Sequence, residues 1–239
     1  VAEKVAAEQR RAHEFAEARH EVPAAGLLQC SPERTPEQGP VIVPRPAGER
    51  LLEQPALALE FGRGRMAGQL QQVLVEHRAS AGYTTCFWYT LLNSQILFDP
   101  RGWFARLKAF YQQPYPDPLR RNIITYNHPL LRGVIPAYAH QLEKAVQRRD
   151  WVSVNHRLAA LLASYFDILF ALNRLPHPGE KRLLAFAIAN CGTQPVGMAE
   201  DVTLLLSTAA DSACLALLNR LLDRLDDLLQ LHGFDVHSM

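Results

Sequence analysis

The feature that most restricts this chain is the apolar run between Ser153 and Asn173. Leu158, Leu161, Leu162, Tyr165, Ile168, Leu169 and Leu172 recur at the 3-1-3-3-1-3 spacing that gathers side chains on one face of a helix. A second line, His156, Ala160, Ala163 and Asp167, carries small residues that let a neighbouring helix approach closely. A helix touched on two sides has to be central. The chain is therefore predicted to be mainly α, a helical bundle organised around residues 153–173.

The rest of the chain reads in three stretches. Residues 1–48 form a charged helix over 1–21, with a thin apolar stripe, and then a linker. Pro23, Pro32, Pro36, Pro40, Pro44 and Pro46 punctuate that linker, and each removes a backbone donor and fixes φ. Residues 49–100 regain an apolar pattern. A helix is expected over 65–79, with Met66, Leu70, Val73 and Leu74 on one side. The run Tyr83–Thr90 suits a strand or the start of a buried helix. Gln95–Phe98 is a short apolar run closed by the turn signal Asp99-Pro100. Residues 101–239 hold the bundle. Helices are expected over Trp103–Gln112, from Asp117 with Pro118 in its first turn, and from Pro136 to Arg149. More follow over 153–173, from Glu180 to Asn190 and, as one long element, from Met198 to Leu231.

Composition excludes several function classes. The 239 residues are 48% hydrophobic, enough for a packed core, and 25 basic against 24 acidic residues leave a net charge of +1. That balance speaks against a dedicated nucleic-acid surface or a polybasic membrane anchor. The longest apolar stretch, Leu158–Leu172, is broken by Asp167 and falls short of the roughly 20 residues a bilayer needs. Cys30, Cys86, Cys191 and Cys214 form no CxxC pair and no zinc-spaced set. Free thiols in a reducing, cytoplasmic compartment and no protein metal site are expected.

The densest polar cluster is His177-Pro178-Gly179-Glu180-Lys181-Arg182, shortly after Asn173. It reads as a tight turn feeding a helix N-terminus, where free N–H groups, Lys181 and Arg182 can receive an anion. The alternative is two cations turned to solvent. Asp167 needs a partner if buried, and Lys181, Arg182 or Arg174 can neutralise it, either as a structural ion pair or around a catalytic base. Arg149 and His156 resemble the Arg…His pair of HEPN-type ribonucleases; the plain alternative is a capping His beside solvated arginines. Asp99, before Arg101 and Trp103, is a turn former without a partner carboxylate.

The stretches LLNSQILFDPRGWFARLKAF, RRNIITYNHPLLRG and NHRLAALLASYFDILFALNRLPHPGEKRLL resemble the domain-of-unknown-function 4037 family, similar to polymerase-β-type (minimal and kanamycin-type) nucleotidyltransferases. The resemblance spans roughly Gly82 to Asp227 and is most specific from Ser164 to Arg182. It implies a helical bundle like the C-terminal part of kanamycin nucleotidyltransferase or a HEPN domain. Residues 49–100 would hold at most a small remnant of the α/β sheet, with Ile96–Asp99 as a late strand. It also implies transfer of a nucleotidyl group from a nucleoside triphosphate with Mg²⁺, held by paired carboxylates. No Gly-Ser…Asp-x-Asp motif occurs, residues 1–80 contain no Asp, and Asp226-Asp227 falls in the last helix. The chain opens on Val1, and the expectation is a fragment or processed form whose carboxylates lie upstream or are lost. Asp167, Asn173, His177, Glu180, Lys181 and Arg182 match the family's motif. Lys181 and Arg182 are then the expected phosphate or substrate contacts and Asp167 their organiser. Expected partners are a nucleotide and either a second copy of the chain or a separate nucleotidyltransferase, with a non-catalytic partner module as the alternative function.

Overall fold

The computed structural model describes residues 53–209 and 211–236, with side chains from residue 64 onward. The helix expected over 1–21 and the proline-rich stretch 22–48 lie outside the described residues. Leu51–Met239 makes one compact unit. Its helices are α1 (Glu53–Leu74), α2 (Cys86–Asn93), α3 (Trp103–Tyr111) and α4 (Asp117–His128), which runs into a π turn (Pro129–Gly133). Then come α5 (Tyr138–Gln147), α6 (Trp151–Leu172), α7 (Leu183–Asn190), α8 (Met198–Ser207) and α9 (Cys214–Leu231). No strand occurs among the described residues, so the fold is the mainly α bundle the periodicity predicts.

Helix α6 is the axis of the unit. Asp150 caps it, accepting the Ser153 N–H at 3.1 Å and the Ser153 hydroxyl at 2.6 Å, which satisfies a donor the helix itself cannot. Every residue from Ala163 to Leu172 is buried. Helices α4 and α5 pack on it. Leu119, Ile123 and Ile124 of α4 and Leu142 and Ala145 of α5 are buried, and Leu70 and Leu74 of α1 join the same core. Each fully buried Leu or Ile contributes about 1.5–3 kcal/mol, which outweighs any single local preference.

Several expectations need correction. Of the two readings of Tyr83–Thr90, the start of a buried helix holds and the strand does not. Gly82 and Tyr83 both take left-handed backbone, at φ 75° and 54°, and α2 starts at Cys86. Ile96–Phe98 is not a strand either. Leu97 and Phe98 are 92% and 86% exposed, and a strand needs a neighbour to take its backbone groups. Asp99 is a cap: its two oxygens accept the N–H groups of Trp103 and Ala105, each at 3.0 Å. The long final helix is two helices. The Ser207 and Thr208 hydroxyls turn back onto the Leu204 carbonyl at 2.9 and 2.8 Å, in competition with the backbone ladder. Asp211 then accepts the Ala213 N–H at 2.9 Å where the chain turns into α9. Helix α1 stops at Leu74, and α7 starts at Leu183 instead of Glu180. The small-residue line on α6 does admit a close neighbour, but at Ala163 that neighbour is the loop at Gly82.

Candidate functional site

The polar residues of the interior collect where the loop before α2 presses against α6. A Cβ on Gly82 would stand 2.8 Å from the Ala163 Cβ, so glycine is required by space as well as by φ. The Gly82 N–H donates to Asn127 Oδ1 at 2.9 Å. The Asn127 amide donates to the carbonyls of Ser80 (2.9 Å) and Ile123 (3.1 Å), which fixes the loop on α4.

Asp167 sits under this loop, 1% exposed. The Thr84 hydroxyl donates to its Oδ2 at 2.6 Å, and the Thr84 N–H lies 3.2 Å from both oxygens. Asn127 Nδ2 is 3.5 Å away. No cation pairs with it among the described residues, so the expected partnership with Lys181, Arg182 or Arg174 is not formed. The reason is reach: the loop fills the space over the carboxylate and supplies neutral donors instead. Burial pushes the Asp167 carboxyl up to about 7, opposed by the Thr84 hydrogen bonds.

His177 is fully buried in the neighbouring layer. Its N–H donates to the Thr85 hydroxyl at 2.8 Å, and its Nδ1 accepts the Gly179 N–H at 3.0 Å. An accepting Nδ1 leaves the proton on Nε2, which is buried without a partner. The ring meets Tyr83 and Phe170 edge-on, at centroid distances of 4.8 and 5.0 Å. Burial pushes its pKa down to about 4, so it is neutral near pH 7. It shapes the turn and offers no charge to a ligand.

Asn173 is likewise structural. Its amide donates to the carbonyls of Leu169 and Thr193, both at 2.8 Å, and its Oδ1 accepts the Thr193 N–H at 2.9 Å. Glu180, Lys181 and Arg182 are exposed. The Glu180 charge helps burial to raise the Tyr83 phenol. Lys181 and Arg182 form no side-chain ion pair or hydrogen bond among the described residues. Arg182 caps α7 from a left-handed conformation, φ 54°, its carbonyl accepting the Phe186 N–H at 2.9 Å. The structure thus joins His177 and Asp167 to one strained loop, through Thr85 and Thr84, and leaves Lys181 and Arg182 on the outer face of the turn.

Thr84, Thr85, Asn127 and Gly82 are site residues that pattern reading passes over. The one sequence signal was Asp167 itself, because a carboxylate in an apolar helix demands donors from somewhere. Arg149 and His156, the ribonuclease-like pair, are both exposed. Arg149 is left-handed at φ 56° and precedes the α6 cap, and no hydrogen bond joins the two. Asp226 is taken by His128 Nε2 at 2.7 Å and by Arg132, which also holds Asp223 at 2.6 Å. No group of three or more His, Cys, Asp or Glu side chains able to hold a metal ion occurs among the described residues. Those residues do not fit the Mg²⁺ site that the resemblance implies.

No curated protein and no solved structure matches the chain. A family model does, over residues 87–182, from the second residue of α2 to the Arg182 cap. Those residues include α3 to α6, Asp167 and the whole His177–Arg182 turn. Over that segment the chain is similar to the family described as "Domain of unknown function (DUF4037)".

Proposed function

We propose that this chain supplies the helical, substrate-side part of a nucleotidyltransferase-type protein, and that its turn His177–Arg182 receives the phosphates of a nucleoside triphosphate. One observation carries the reading. Lys181 and Arg182 stand exposed and unpaired on a turn fastened from inside, by His177 on Thr85 and by Asn173 on Thr193. A cation pair held on a fixed backbone spends less ordering entropy on an anion than one on a mobile loop. The likeness of the motif to nucleotidyltransferases supplies the choice of ligand. Magnesium would arrive with the triphosphate, its carboxylate ligands coming from outside the described residues. Among the described residues Cys86, Cys191 and Cys214 are free, which suits a reducing cytoplasmic setting, and no described helix is long and apolar enough to cross a membrane.

Calorimetry with ATP tests the reading. The Lys181→Ala/Arg182→Ala variant is expected to bind about tenfold or more weakly, the effect of losing charge-assisted hydrogen bonds. Identical binding by variant and wild type removes the proposal. A second reading, a non-catalytic module that docks a partner, is favoured by the exposure of Leu97 and Phe98 beside α3. If that partner is a second copy, sedimentation will show a dimer that Leu97→Ser/Phe98→Ser dissociates.

A further inference from the structure

A second cationic cluster lies at the start of α4, built on different residues. The Asp117 carboxylate is approached by three guanidiniums. Arg121 Nε donates to Oδ2 at 3.0 Å, Arg174 Nη2 donates to Oδ1 at 3.1 Å, and Arg120 Nη1 stands 3.6 Å from Oδ1. One negative charge faces three positive ones, which leaves two positive charges without a counter-ion in the cluster.

Arg120 is the decisive member. Its side chain is only 11% exposed. Its Nε is buried without a partner, and 3.6 Å is too long for a hydrogen bond to Asp117. Its guanidinium lies 5.1 Å over the Phe234 ring, a contact that supports charge but accepts no N–H in line. Burial, and next the Arg174 charge, disfavour its charged form. A guanidinium so placed has one buried donor unmet, a like charge from Arg174 beside it and only a distant share of Asp117. Arg121 and Arg174, by contrast, are 70% and 55% exposed and each spends one donor on Asp117. The rim is open to solvent and the inner wall is not.

We propose that Arg120, Arg121 and Arg174 form a receptor for a phosphate-type oxyanion, with Arg120 as its inner wall and the two exposed arginines as its rim. A phosphate dianion matches the two uncompensated charges in number, and its oxygens can meet the forked donors of more than one guanidinium. Asp117 holds the arginines in position while the site is empty and competes with the incoming anion for them. The site is separate from Lys181 and Arg182 and does not depend on the reading of that turn.

The test is titration of the full chain with inorganic phosphate, ATP and adenosine, at constant ionic strength, followed by calorimetry and by the arginine Nε–Hε resonances. Saturable phosphate binding is expected, with shifts at Arg120, Arg121 and Arg174. Arg174→Gln, a surface change that spares the core, should weaken it about tenfold, and Lys181→Ala/Arg182→Ala should leave it unchanged. Asp117→Asn should tighten it, an outcome that a merely structural ion pair would not produce. In the Lys181→Ala/Arg182→Ala background, tighter binding of ATP than of phosphate assigns the ligand to a nucleotide tail, and equal binding assigns it to free phosphate; adenosine should not bind. Absence of saturable binding overturns the proposal. So does binding that chloride displaces equally well, or that Arg174→Gln leaves intact. A loss confined to Lys181→Ala/Arg182→Ala would overturn this site and support the turn.

Discussion

Asp167 and Asp201 are each 1% exposed, yet opposite means hold them. Asp201, in the first turn of α8, meets Arg220 at 2.6 Å and Arg224 at 2.5 Å, both from α9. Those arginines are 43% and 35% exposed, so the pair is a lid of charge laid over the carboxylate. Asp167 has only neutral donors, Thr84 and Asn127, and lies under a strained loop. Each region also contains a left-handed glycine that makes room. Gly82 yields to the Ala163 Cβ and backbone, which a helix holds still, and Gly197 yields to the tip of Arg224, a long side chain held there by Asp201. Charge was enough where α8 and α9 meet at the surface. In the centre, where long cations do not reach, shape and neutral hydrogen bonds do the holding.

The largest expected effect is the pH dependence that Asp167 brings to stability. Asp167 has a folded pKa of about 7, above its ordinary value of 3.8. The native state therefore keeps a proton that the unfolded chain gives up, and the contribution of Asp167 to stability falls as pH rises from about 4 to about 7, a fall that His177, with its lowered pKa, offsets below about 6.5. Asp167→Asn removes that dependence. Relative to wild type, the variant should gain up to about 4 kcal/mol between pH 4 and pH 8, read from urea denaturation across that range. Parallel curves for the two proteins would erase the contrast.

Asp201→Asn should act the other way. The two arginines lose their shared counter-ion and turn to solvent, and stability drops by about 2 kcal/mol. Equal stability of variant and wild type in urea denaturation would mean that the arginine lid holds nothing.

The smallest effect sharpens the difference in rigidity. Both glycines carry positive φ, 75° at Gly82 and 69° at Gly197, so alanine strains each backbone. Only at Gly82 does the new Cβ meet an immovable wall. Thermal denaturation should show a loss of about 2 kcal/mol for Gly82→Ala and about 1 for Gly197→Ala. Equal losses would indicate that the α6 wall yields as easily as an arginine tip.

What could be read in advance followed the range of the forces involved. Helix α6 was legible because Leu158, Leu161, Tyr165 and Leu172 report a burial period within one segment. The start of α4 was legible because Pro118 suits a first turn, but the cap expected of Asp117 is not made: the cap position falls on Pro116 and the Asp117 carboxylate accepts from Arg121 and Arg174. The partners of Asp167 were not, since Thr84 and Asn127 lie 83 and 40 residues away and no local pattern connects them. The division between α8 and α9 was hidden for a different reason. The leucines keep a helical rhythm across it, while the break depends on Ser207, Thr208 and Asp211, whose hydroxyl and carboxyl oxygens compete for backbone groups. The outer position of Lys181 and Arg182 followed from His177, whose burial turns the other side of the loop outward.

His177 and Asp167 together give folding an unusual proton count. The unfolded chain at pH 5.5 carries a carboxylate and an imidazolium at these positions; the folded chain carries a carboxylic acid and a neutral ring, since the folded values are about 7 and about 4. One site takes up a proton on folding and the other releases one, so the pair exchanges no net proton with solvent in that range. Acid therefore reaches this core by two routes of opposite sign, and mild acidification leaves it nearly indifferent.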